Sequence, residues 1–217
     1  MTATGVNAKM LSILYKEFAV QRTAILIFAV LAVLDALLLF PLPDPLAFGT
    51  ILAIFFTFST ASHEDKNNSH ILLNSLPVDR KEIITAKYAF HIGIGIAFTG
   101  LAGILGALSG SWPPGTGPWQ TGVFALVIIW FVSLFFPMYF WLGPRFVQVG
   151  MFFLFIILFA VMPMVYHLGV KHDFWGILDA VQSWPESRLF ILTALVTAVV
   201  LMGSRYASVR IYERKQF

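Results

Sequence analysis

Apolar residues in this chain fall into six long runs, at about 23–40, 46–62, 82–108, 121–140, 149–168 and 187–204, with polar or Pro/Gly-rich stretches between them. A helix of about 20 residues rises about 30 Å, the thickness of the bilayer hydrocarbon. The pattern therefore predicts six transmembrane helices. Pro41, Pro43 and Pro45 mark the first turn, because proline cannot continue the helical ladder. Later loops are expected at 63–81, 109–120, 141–148 and 169–186. Ahead of the first run, Leu11, Leu14, Tyr15 and Phe18 recur at helical spacing among Lys9, Lys16, Glu17 and Arg22. That pattern predicts an amphipathic helix over 8–22 lying in the membrane interface, or else a short soluble lead-in. A cleaved signal peptide is not expected, since no small-x-small site follows the apolar run.

Composition strengthens this picture. Hydrophobic residues make up 59% and charged ones 12%, against roughly 45–50% and about 25% in soluble domains. Mean hydropathy is +0.83. The absence of cysteine excludes a disulfide scaffold, a Cys-ligated zinc site and thiol catalysis. A net charge of +3 does not signal nucleic acid here, because the basic residues flank apolar runs and form no continuous patch. They act as topology signals. Of the 14 Lys and Arg, only Lys171 and Arg188 fall on one side of the six-span arrangement; the other twelve fall on the side of the two termini. The positive-inside rule then puts both termini and the 63–81 loop in the cytoplasm. Trp112, Trp119, Trp175 and Trp184 fall at the expected outer interface and Trp141 at the inner one, with Trp130 mid-span.

Three features invite functional readings. In the 63–81 loop, Ile71, Leu72, Leu73 and Leu76 form an apolar knuckle that Pro77 ends, and Asp79 and Glu82 have capping-box spacing for the third span. Exposed leucines in a cytoplasmic loop need cover, from a protein partner or from the chain's own helices. Glu64, Asp65, Arg80 and Lys81 surround them with charge that would fix the orientation of a partner. In the 169–186 loop, Phe174, Ile177, Leu178 and Val181 share one helical face beside Trp184, which fits a short helix dipping into the outer leaflet or lying on it. Asp35 is the one acidic residue within a span. It either lines a translocation path or reaches a local partner near the outer end of its helix. The third span also carries small residues at intervals of four, Gly93 and Ala97, then Ala102, Gly106 and Gly110, suited to close helix packing within the chain or in a dimer.

The string Asn74-Ser-Leu-Pro-Val-Asp-Arg-Lys-Glu-Ile-Ile-Thr-Ala-Lys-Tyr88, following Glu64 and Asp65, resembles the coupling loop of type-2 ATP-binding cassette (ABC) exporter permeases of Gram-positive bacteria. The whole layout is similar to that family, and size and loop pattern are similar to the membrane subunits of phenol-soluble modulin exporters. The resemblance implies an all-α integral membrane permease with a coupling helix at about 65–76. It also implies that the outer helix between the fifth and sixth spans is re-entrant and acts as a gate. The partners it implies are separate ABC ATPase subunits and a second permease, identical or paralogous, within membrane lipid. No Gly-x-x-x-x-Gly-Lys-Ser/Thr loop occurs, so no cofactor is expected on this chain and Mg-ATP is expected on the ATPase.

Other motifs fail on their own terms. His63-Glu64 lacks the second histidine of a zinc protease, because position 67 is Asn. Asn67-Asn68-Ser69 matches a glycosylation acceptor on the cytoplasmic side. Asp35 has no intramembrane carboxylate partner for aspartyl-protease chemistry. The expected function is export of amphipathic or antimicrobial/toxin peptides, or of lipids. The alternative is a membrane-embedded immunity or scaffold protein that transports nothing.

Overall fold

The computed structural model describes residues 3–36, 44–66, 79–110, 118–143, 146, 149–150, 152–153, 156–161, 164, 167–168 and 185–214. Five long helices dominate them: α1 (Ala3–Ala36), α2 (Pro45–Lys66), α3 (Arg80–Ser109), α4 (Pro118–Leu142) and α5 (Glu186–Arg214). Each contains a stretch long and apolar enough to cross a bilayer. They coincide with the first, second, third, fourth and sixth predicted runs. The run at 149–168 is described only in pieces, among them a π-helical turn at Ile157–Val161.

The structure corrects the N-terminal boundary. The 8–22 stretch is not a separate interfacial helix, since α1 runs through it unbroken into the first span. The physical reason is local: no proline or glycine interrupts residues 8–36. A 34-residue helix is about 50 Å long, more than the hydrocarbon thickness of about 30 Å. α2 likewise extends past the expected end at 62 to Lys66. Asp44 starts it, its Oδ1 accepting the Leu46 amide at 2.9 Å. α3 begins where expected, but no capping box forms. Asp79 occupies the N-cap position without a side-chain cap bond, and its carbonyl accepts the Glu82 amide at 2.9 Å. Gly110 ends α3 at φ 72°, a left-handed conformation that favours glycine.

α2 and α3 make the closest pair. A Cβ on Gly49 would stand 2.7 Å from the Thr99 Cα, so the helices approach at that distance only because the side chain is absent. Ala102, Gly103 and Gly106 continue this seam against Gly49, Leu46 and Pro45. Gly93 and Ala97 do not belong to it; both face outward on α3. Aromatic rings fill the space beyond. Phe56 meets Phe98 edge-on at 5.5 Å, and Phe135, Phe136, Tyr139 and Phe140 of α4 pack against one another and on Tyr88 and Tyr212. Much of the phenylalanine in the fourth run is therefore internal packing, whereas Phe152 and Phe153 stay exposed.

Pro137 sits inside α4 and has no N–H to offer the Ser133 carbonyl one turn back. The Ser204 hydroxyl of α5 donates to that carbonyl instead. Trp130, expected mid-span, donates its Nε1–H to Thr197 Oγ1 at 2.7 Å. Both bonds fasten α5 to α4 where water is not available to satisfy polar groups.

Candidate functional site, a charged junction at one end of the bundle

The side chains of α1 alternate between an exposed apolar face and a buried face of Ile13, Glu17, Gln21, Ala32 and Asp35, spaced by helical turns. Two carboxylates thus occupy core positions. A buried charge is tolerated only when paired. For Glu17 the partner is Lys87 of α3, whose Nζ lies 3.9 Å from Glu17 Oε1 and donates a short bond to Glu64 Oε1 of α2. Lys87 is itself 4% exposed. One ammonium therefore joins three helices. The Glu17 contact is looser, since its Oε1 makes no hydrogen bond and adds only Lys16 at 3.7 Å.

A second layer lies one turn deeper. His91 Nδ1 donates to the Lys87 carbonyl at 2.8 Å, because a carbonyl only accepts, and its Nε2 lies 2.9 Å from Thr60 Oγ1. Thr60 also reaches the Thr57 carbonyl at 3.0 Å. Next to Lys87, the Tyr88 hydroxyl meets Ser204 and Ser208 of α5 at 2.7 and 2.8 Å. Arg80, at the start of α3, donates to the carbonyls of Tyr212 and Glu213, each at 3.1 Å. These bonds bring the ends of α2, α3 and α5 together around the roots of the 63–81 loop.

Beside the junction, α1 and α2 enclose a cavity of about 620 Å³. Glu17, Gln21, His63 and Glu64 form its polar part, and Ile27 and Phe28 its apolar part. Among the described residues, no three His, Cys, Asp or Glu side chains converge on a possible metal position.

The ABC-2 family transporter protein family matches this chain over residues 12–213. The chain belongs to that family. It is a multi-pass membrane protein and a permease subunit of an ABC transporter. No curated protein matches it.

As an ABC-2 permease, the chain has its candidate coupling residues divided. Glu64 and Arg80, expected as charges rimming the loop, are engaged within the chain, by Lys87 and by the α5 carbonyls. Lys81 is exposed, and Asp65 lies in the last turn of α2. Ile71, Leu72, Leu73, Leu76 and Pro77 lie outside the described residues, as do the gate candidates Phe174, Ile177, Leu178, Val181 and Trp184. Asp35 is buried at the end of α1 remote from Glu17 and does not line this cavity.

Sequence reasoning missed the Glu17–Lys87–Glu64 junction. Lys87 counted there only as a topology charge. No local pattern signals it: only the burial of Glu17 on the same face as Ile13, Gln21 and Ala32 shows that it requires a cation from another helix.

Proposed function

We propose that this ABC-2 permease is the membrane half of an exporter energised by separate ABC ATPase subunits that carry Mg-ATP. In this reading the chain has six spans and cytoplasmic termini, and works with a second permease copy or paralogue. Its cargo is an amphipathic or hydrophobic molecule, first a peptide of the antimicrobial or toxin kind and second a lipid. The observation that carries the reading is the junction. Lys87 joins Glu64, in the last turn of α2 at the near end of the 63–81 stretch, to Glu17 and to its own helix. Arg80 joins the other root of that loop to α5. A push on the loop then moves α1, α2, α3 and α5 together, because an ion pair in a poorly solvated setting is costly to separate. The cavity between α1 and α2, polar at one part and apolar at another, suits a cargo of the same character.

Ile71, Leu72, Leu73 and Leu76 supply the surface that an ATPase would seat, each buried side chain contributing roughly 1.5–3 kcal/mol. Co-purification tests this. The tagged permease should retain a co-expressed ABC ATPase, and Leu72→Asp should release it while insertion into the membrane stays normal. Lys66→Ala should have the smaller effect. An undiminished complex with Leu72→Asp would remove the loop from the coupling role, and failure of the unmutated permease to retain any ATPase would favour the scaffold or immunity reading.

A further inference from the structure

The junction leaves one set of charges unused. Between the start of α3 and the end of α5 lies a second cavity of about 500 Å³, lined by Lys81, Met202, Arg205, Tyr206, Arg210 and Glu213. Three cations face one carboxylate. Two of the cations are held in place: Arg205 donates its Nε–H to Thr85 Oγ1 at 3.0 Å, and Arg210 lies over the Tyr206 ring at 5.2 Å. Those contacts orient the guanidinium groups and leave terminal N–H donors for an anion, with the fork geometry that suits phosphate oxygens.

The apolar surface next to these charges selects among anions. Leu195, Val199, Met202 and Tyr206 recur every three or four residues on the face of α5 that leads into the cavity, and all four are more than 60% exposed. From Leu195 to Tyr206 the helix rises about 16 Å, close to half the hydrocarbon thickness of about 30 Å. The face thus reads as an aliphatic strip one leaflet deep, then an aromatic ring at interface depth, then a basic cluster. A soluble phosphate has no use for the strip; a phospholipid needs all three parts.

We propose that this cavity is a binding site for the phosphodiester headgroup of an anionic phospholipid. The acyl chain would lie along Leu195, Val199 and Met202, and the phosphate would meet Arg205, Arg210 and Lys81. Assignment to the cytoplasmic leaflet rests on the orientation proposed above; the site itself does not. The lipid would bridge the α3 root of the 63–81 loop to α5, next to the Arg80 contacts.

Native mass spectrometry of the full chain in detergent tests the site independently of transport and topology. Added phosphatidylglycerol should be retained at least tenfold more tightly than phosphatidylcholine of the same chains. Arg210→Gln and Lys81→Gln, both at exposed positions, should each lower retention at least threefold, and Arg205→Gln more. Arg214→Gln, outside the cavity, should leave it unchanged. Free glycerol phosphate should not compete at equal concentration. Equal retention of the two lipids would overturn the proposal, as would phosphatidylglycerol binding that survives Arg210→Gln and Lys81→Gln together. Displacement by glycerol phosphate would assign the cavity to a soluble phosphate instead. Loss of ATPase pairing with lipid binding intact would count against the exporter reading alone.

Discussion

α2 and α5 are both long helices with an apolar stretch that could cross a bilayer, yet only the stretch in α2 is largely buried inside the protein. The most apolar stretch of α2 has hydropathy 1.5 and is 67% buried; that of α5 has hydropathy 1.8 and is 6% buried. In a soluble protein an apolar stretch like that of α5 would be covered as well. In a bilayer, lipid tails are as apolar as leucine, so apolar surface gains little by hiding in protein. Close packing and polar satisfaction decide instead. α2 has Gly49, Thr50, Ala53, Thr57, Thr60 and Ala61 for its partners, and the Thr50 and Thr99 hydroxyls meet at 3.3 Å across the seam. α5 turns Ile191, Leu192, Leu195, Val196 and Val199 outward and packs only its other face on α4, with Phe190 against Gly122, Tyr212 against Phe140, and the Trp130–Thr197 and Ser204–Ser133 bonds between them.

The contrast predicts unequal tolerance to mutation. Lys87→Met should have the largest effect, lowering the stability of the detergent-purified chain by about 3–5 kcal/mol, because it removes the buried cation that Glu17 and Glu64 share. Adding Glu17→Gln and Glu64→Gln should recover much of that loss. A Lys87→Met chain that melts like the wild type would mean that the junction holds nothing. Gly49→Leu should follow, forcing α2 from α3 and costing about 1–3 kcal/mol or more. Gly93→Leu, on the same pair of helices but in open space, should be near neutral, and equal effects at the two sites would refute the seam. Thr60→Val removes a partner of His91 Nε2 and should cost about 1–3 kcal/mol in the same melting assay. At the other extreme, Leu192→Ala and Val196→Ala on α5 should each change stability by less than about 0.5 kcal/mol. A large loss there would show that this face is covered by protein.

Legibility in the sequence followed the same division. Hydropathy alone located α2, α3, α4 and the start of α5 to within a few residues, because spans of that length and composition have few alternatives; it ended the last run at 204, ten residues before α5 ends at Arg214. It divided the continuous helix α1 into an interface segment and a span, since the charged residues Lys16, Glu17 and Arg22 resembled an interface segment. In the structure, Glu17 points into the protein while Leu11, Tyr15 and Phe18 point away from it. An amphipathic pattern reports two faces but not which face meets protein. The interval-of-four rule chose Gly93 and Ala97 with Ala102 and Gly106, although the seam uses Gly95, Thr99, Ala102, Gly103 and Gly106. Small residues permit contact on any side of the helix, and only the partner's shape selects one. The junction was the least legible part, because its three charges come from positions 17, 64 and 87, and no local pattern brings them together.

We infer that force from an ATPase enters through the 63–81 loop and is carried into the spans by the junction at its roots. ATP hydrolysis by the purified complex in lipid nanodiscs, with and without an amphipathic peptide cargo, tests it most directly. The wild-type complex should hydrolyse ATP faster when cargo is added. In complexes stabilised by cross-linking permease to ATPase, Leu72→Asp should abolish the stimulation and leave basal hydrolysis in place. A Leu72→Asp complex with fully stimulated hydrolysis would contradict the account.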